Sequence, residues 1–188
     1  MAAPLDPRLL DATASLLDRS GLPAVTLSAV AEAAGVSRVT LHRHGVTVEA
    51  LVIAVLRRAS DDLRASLWPV LAGPGSAAER LRLALEALCQ VCERHIGVLS
   101  ALFRAPVRRL PDDPDRTTSF EFVEPFERLL RDGEVDGSLR SDDPATDAAL
   151  LANAVTWSYL HMRQAHRWSP TDTERRVVDM VLAHHLAG

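Results

Sequence analysis

Polar capping residues followed by apolar positions at three- and four-residue spacing recur along all 188 residues, and this punctuation restricts the chain to a string of amphipathic helices. The first helix is expected from about Leu5 to Arg19, with Leu5, Leu9, Ala12 and Leu16 on one face and a stop at Ser20-Gly21. Thr26 is placed to cap a short helix that ends at Ala34-Gly35. Ser37 caps another from Arg38 to His44, stopped by Gly45. Thr47 caps a long fourth helix, with Val46 and Leu51 spaced as a hydrophobic staple and an apolar stripe running from Leu51 through Leu63 and Leu67 to about Leu71.

Gly73-Pro74-Gly75 breaks the chain, and Ser76 with Glu79 forms a capping box for a fifth helix to about Arg94. A short sixth follows from Ile96 to Arg104, then a Pro-rich loop over 105–118. Pro125 leaves two readings of Phe120–Arg131: a helix that begins near Glu124, or one kinked there. Asp132 to Ser138, with two glycines, reads as loop. Asp143-Pro144 opens an eighth helix to about His166, and Thr171 to Glu174 is a capping box for a last one to Leu186. The expected class is therefore all-α, with about nine helices.

Composition agrees. Aromatic residues are only 4%, and β-branched runs are scarce. The N-terminus carries Asp6 where a secretory signal needs basic residues, and no stretch approaches a membrane span, so a cytoplasmic protein without membrane contact is expected. The net charge of −4 is uneven: residues 1–58 hold six Arg against five acids, while residues 59–188 hold fifteen against twenty. A basic bias at one end keeps nucleic acid open as a partner despite the acidic total.

The most informative segment is 27–46. Two short helices flank a Gly35-Val36-Ser37 turn. Ala31 and Ala34 permit a close crossing, and Val30, Val36 and Leu41 are spaced to meet inside the corner. The second helix then presents Arg38, Thr40, His42, Arg43 and His44, side chains suited to base edges and phosphates. The helix starts at Thr26 and Ser37 offer backbone N–H groups to phosphate, with Ser28 beside the first. The plainer reading of the same twenty residues is an ordinary αα corner.

Residues 8–56 favour the first of these readings, because they resemble the N-terminal domain of the TetR family of transcriptional regulators. Arg8-Leu-Leu-Asp-Ala-Thr-Ala-Ser-Leu-Leu is similar to its first helix. Val25-Thr26-Leu27, Val30 to Ser37 and Thr40 to His44 are similar to its helix-turn-helix, and Glu49-Ala50-Leu51 to the start of its fourth helix. The resemblance implies a homodimer that binds double-stranded DNA and responds to a small-molecule effector, commonly as a repressor. DNA contacts fall to Thr26, Ser28, Ser37, Arg38, Thr40, His42, Arg43 and His44. Residues 1–46, completed by the start of the fourth helix, form the DNA-binding domain; 47–188 bind effector and dimerise.

Three positions depart from the family pattern. His42 stands where Tyr is usual, Gly45 where an aromatic residue is usual, and Val48 where Lys is common. These departures carry a second reading, a helical dimer of the same shape whose DNA binding is weakened or lost and which acts through ligand or protein contacts.

The eighth helix is apolar nearly all round. Leu151, Ala152, Val155, Tyr159 and Met162 form one stripe, and Leu150, Ala154, Trp157 and Leu160 lie towards another. It is either a central core helix or, as the resemblance implies, part of a four-helix dimer interface with Val177, Val178, Val181, Leu182 and His185 of the last helix. Trp68, Phe103, Phe120, Phe122, Phe126 and Trp157 are the candidates to line an effector pocket, with core filling as the alternative for each.

Cys89, Cys92 and His95 have no second Cys pair to complete a zinc ligand set, so buried thiols are the expected reading. No phosphate loop, nucleophile elbow or spaced carboxylate pair is found. The expectation is a non-enzyme without cofactor or metal.

Overall fold

The computed structural model describes residues 5–104 and 123–187. Among them are nine α-helices: α1 (Pro7–Ser20), α2 (Leu27–Ala34), α3 (Arg38–Arg43), α4 (Val48–Leu71), α5 (Ala77–Arg94), α6 (Ile96–Arg104), α7 (Glu124–Asp136), α8 (Pro144–Gln164) and α9 (Pro170–His185). A 3₁₀ turn at Leu22–Ala24 joins α1 to α2. The all-α class holds, and no helix is long and apolar enough to cross a membrane among the described residues.

The chain divides into two compact units. The first contains α1, α2, α3, α6 and α4 as far as Ala59; the second contains the rest of α4 with α5, α7, α8 and α9.

In the first unit α1 packs against α2 and α6. Its buried face is Leu9, Ala12, Thr13 and Leu17, so the expected stripe holds at Leu9 and Ala12 but ends at Leu17, Leu16 being only half-buried. Thr13 holds an inward place because its hydroxyl donates to the Leu9 carbonyl at 2.7 Å, satisfying a polar group that would otherwise be costly there. Val30, Ala31, Leu41, Leu51 and Val55 complete this core.

In the second unit α5 packs against α7, α8 and α9. It buries Leu81, Leu85, Leu88, Cys89 and Cys92 against Phe126, Leu129 and Leu130 of α7, Leu151 and Val155 of α8, and Val178 and Leu182 of α9. The Ser76 capping box forms as expected: the Ser76 N–H donates to Glu79 Oε2 at 2.8 Å and the Glu79 N–H to Ser76 Oγ at 3.3 Å.

Three sequence expectations need correcting here. Only the end of the segment 132–138 is loop, because α7 continues through Gly133 to Asp136 and stops at Gly137, whose φ is +75°. Gly133 serves close approach rather than chain reversal, since a Cβ there would lie 2.4 Å from Leu139. The polar residues that look like loop instead cap α5: Asp136 accepts from the Ala77 N–H at 2.7 Å and Ser138 from the Ala78 N–H at 3.1 Å.

The last helix begins earlier than Thr171. Ser169 caps it by accepting from the Asp172 N–H at 3.1 Å, with Pro170 in the first position that suits a residue lacking an N–H. On α8 the two apolar stripes differ sharply. Leu151, Val155 and Tyr159 are buried in their own unit, and Leu150, Ala154 and Trp157 are exposed, while Leu160 is buried with the first group. Val177, Val178, Leu182 and His185 of α9 also face their own core, so they are not free for a partner; Met180, Ala183 and His184 are among the exposed residues of the helix.

Candidate nucleic-acid interface

The α2–α3 corner is built by caps and two left-handed residues. Thr26 Oγ1 accepts from the Ala29 N–H at 3.1 Å and fixes the start of α2. Gly35, at φ +67°, ends it, and the Val36 N–H returns to the Ala31 carbonyl at 2.9 Å. Ser37 starts α3 by accepting from the Thr40 N–H at 3.1 Å, its hydroxyl lying 2.9 Å from Thr40 Oγ1. Gly45, at φ +64°, reverses the chain after α3, and the Val46 N–H closes on the Leu41 carbonyl at 3.1 Å. That conformation gives glycine a physical reason at a position where the family usually has an aromatic residue.

Leu41, 3% exposed, anchors α3 to the corner. At about 100° per residue the face opposite Leu41 carries Val39 and Arg43, with His42 about 100° and Arg38 about 60° round from Leu41 on one flank. All four are exposed. The face is cationic and contains no acid. Thr40 and His44 stand differently. Thr40 is half-buried with its hydroxyl against Ser37, and His44 spends Nδ1 on the Thr40 carbonyl at 2.8 Å. Thr26 and Ser28 are exposed at the start of α2, and Val48 is half-buried at the start of α4.

So three of the expected contact residues, Arg38, His42 and Arg43, share one outward face, and sequence reasoning passed over a fourth member. Val39 is 77% exposed. The signal was present in the spacing, because a residue two places from an inward Leu41 must point away from the core.

The aromatic candidates for an effector pocket do not converge. Phe126 is buried in the α7 core, Trp68 is 74% exposed near the end of α4, and Trp157 lies on the outer face of α8. Phe103 lies on α6, and Phe120 and Phe122 lie outside the described residues.

A cleft of about 250 Å³ occurs elsewhere in the second unit, lined by Gln90, Glu93 and Arg94 of α5, Tyr159 of α8, and Pro170, Thr171 and Glu174 of α9. Two of its lining residues, Glu93 and Tyr159, belong to a tight polar network with Arg163. Arg163 donates to both Glu93 oxygens, at 2.6 and 2.8 Å, and Tyr159 donates to Glu93 at 3.0 Å. The Arg163 guanidinium holds the Glu93 carboxyl below its ordinary range, with Tyr159 assisting. Across the cleft, burial and the charge of Glu86 push Glu174 upward.

Cys89 and Cys92 are both buried. Burial raises both thiols, Cys92 to about 12, so they stand as neutral core groups rather than reactive thiolates.

A capped helix-turn-helix with a cationic outward second helix, joined to a separate helical unit, defines a DNA-binding regulator. Residues 9–55 match the family model described as bacterial regulatory proteins, tetR family, and residues 74–184 match that of the tetracyclin repressor-like C-terminal domain. The chain belongs to the TetR family of transcriptional regulators. It is 32% identical over 154 residues to the HTH-type transcriptional repressor KstR2 of Rhodococcus jostii, covering 79% of this chain and 74% of that protein.

Among solved structures it is similar to a TetR/AcrR-family regulator from Thermobifida fusca, with a TM-score of 0.73 at 22% identity over 95% of this chain and 97% of that one. It is also similar to AibR in complex with isovaleryl coenzyme A and operator DNA, with a TM-score of 0.72 at 17% identity over 93% and 96%. At these identities the solved structures speak to the fold alone.

Proposed function

We propose that the protein is a homodimeric, cytoplasmic repressor, regulatory rather than catalytic, whose operator binding is relieved by a small-molecule effector. The observation that carries this is the exposed cationic face of α3, held rigid by caps at both ends on a family-matched corner. In this reading residues 1–46 bind DNA, with Arg38, His42 and Arg43 facing the major groove and the helix starts at Thr26, Ser28 and Ser37 near the backbone phosphates. Thr40, half-buried against Ser37, and His44, exposed and bonded to the Thr40 carbonyl, complete the proposed contact set. The name of the Rhodococcus relative, a transcriptional repressor, supports the repressor reading.

Residues 47–188 sense and dimerise. The dimer face is the exposed seam of Leu150, Ala154 and Trp157 on α8 with Met180 on α9, apolar residues that a monomer would leave in water. A two-fold axis there suits a regulator, because two recognition helices about 34 to 36 Å apart engage successive half-sites. The effector acts by changing that separation. The aromatic residues Trp68, Phe126 and Trp157 do not make one effector site, because Phe126 fills the core, Trp68 lies at the surface and Trp157 falls on the proposed dimer face.

A gel-shift titration against the DNA flanking the protein's own gene tests the proposal. A retarded complex that survives excess random duplex is the expected result. Retardation that random duplex abolishes favours the second reading, a family-shaped helical dimer with its specific DNA binding lost.

A further inference from the structure

Val39 is the most exposed residue type out of place in the DNA-binding unit. It is a β-branched apolar side chain, 77% exposed, at the second position of a helix whose other outward residues are Arg38, His42 and Arg43. The core does not need it. Leu41 fills the inward position of the same helix, and Val39 points about 160° away from it. Nor can it contact phosphate or accept or donate a hydrogen bond. In a cationic face docked on duplex DNA, one surface in the major groove is apolar and small enough to match it: the C5-methyl group of thymine.

We propose that Val39 is a specificity-determining residue that reads the C5-methyl group of a thymine in each half-site. The proposal rests on the DNA-reading function of α3 given above. Two features make valine suited to the task. Its single favoured helical rotamer holds both methyls in place without an ordering cost. Its short reach means contact occurs only when the helix lies deep in the groove, where the cations on either side, Arg38 and Arg43, bring it. Cytosine, which lacks the methyl, then leaves the valine unpartnered.

The experiment begins with selection of binding sites from a random duplex pool by the full-length protein at fixed salt. In the selected duplex each thymine is then replaced singly by deoxyuridine, which removes the methyl and leaves base pairing intact. Wild type and Val39→Ala are titrated on every duplex, with Arg43→Ala as a second variant and circular dichroism to confirm folding.

The expected result is at least one thymine per half-site at which uracil weakens wild-type binding about fourfold, the value of one buried methyl-sized contact. Val39→Ala should bind the thymine and uracil duplexes alike, whereas Arg43→Ala should bind more weakly but keep the difference. No uracil-sensitive thymine, or a sensitivity that Val39→Ala retains in full, overturns the proposal. A pool that enriches no sequence overturns the sequence-reading function itself, and the role of Val39 falls with it.

Discussion

Asp18 of α1 accepts a hydrogen bond from the backbone N–H of Gly97 at 2.9 Å, so the side chain of one helix caps the first turn of another. The contact is possible only with glycine at 97. A Cβ there would lie 2.2 Å from the Asp18 carboxylate, 2.6 Å from its backbone nitrogen and 2.7 Å from its Cα. The two helices belong to the same unit as the DNA-facing corner, and α1 also packs on α2.

Gly97→Ala is therefore expected to force α6 off α1. The backbone of Asp18 cannot rotate away as a side chain tip would, so the cost should be about 1 to 3 kcal/mol, in the range of overpacked sites. Urea unfolding should show the midpoint lowered. Asp18→Asn, which keeps an acceptor and adds no bulk, should cost less. A Gly97→Ala protein as stable as wild type would show that α1 and α6 have room to separate.

Sequence periodicity and capping rules made the nine helices, the α2–α3 corner and the Ser76–Glu79 box legible, because each of these is set by residues within a few positions of each other. What they could not show depends on partners distant in the chain. Gly133 looks like a helix breaker until Leu139 is found against it, and Asp136 and Ser138 look like loop until they are seen capping α5. The outward face of α8 follows the same logic. An all-round apolar helix has no preferred side in sequence, and only the packing of α5 and α9 separates inward Leu151 from outward Leu150. At the DNA-facing corner, spacing located α3 but not the bonds that turn Thr40 and His44 back onto their own helix.

Leu150 and Leu151 give a paired test of the dimer. Leu150 is 64% exposed and Leu151 only 2%. Leu150→Glu should yield a folded monomer, by light scattering and circular dichroism together, because it places charge on the proposed seam without entering the core. Leu151→Glu should unfold the protein, since it buries an unpaired carboxylate. A folded dimer from Leu150→Glu would move the interface off this face of α8.

Acid sensitivity should track Glu93. Its carboxyl is lowered from the ordinary value of 4.5 chiefly by the hydrogen bonds from Arg163. A carboxyl whose folded value lies below its unfolded one stabilises the protein fully above about pH 4.5, and that stabilisation disappears as pH falls through the lowered folded value. Glu93→Gln should be less stable than wild type at neutral pH and should lose less stability between about pH 5 and pH 3, the two converging in acid. Denaturant midpoints across this range check it. Parallel curves would mean that Arg163 and Tyr159 do not hold Glu93 in the folded protein.

Val48 is half-buried at the first position of α4, where the family commonly has Lys. Val48→Lys should tighten binding on all sequences at low salt and steepen the slope of log affinity against log salt by roughly 0.9 per subunit, with sequence preference unchanged. A salt titration on one operator and one random duplex measures this. An unchanged slope would place the start of α4 clear of the phosphates.

The central claim, that the outward face of α3 reads DNA sequence, meets its most direct test in the affinity of wild type and Arg43→Ala for two duplexes, one from the DNA flanking the protein's own gene and one random. Arg43 is exposed beside Val39 and opposite the anchoring Leu41, so its removal should leave the fold intact. Fluorescence anisotropy at constant salt should show wild type preferring the flanking duplex, and Arg43→Ala losing about 1 to 3 kcal/mol on that duplex with a much smaller change on the random one. Equal wild-type affinity for both duplexes, or an equal loss on both, would contradict base reading by this face.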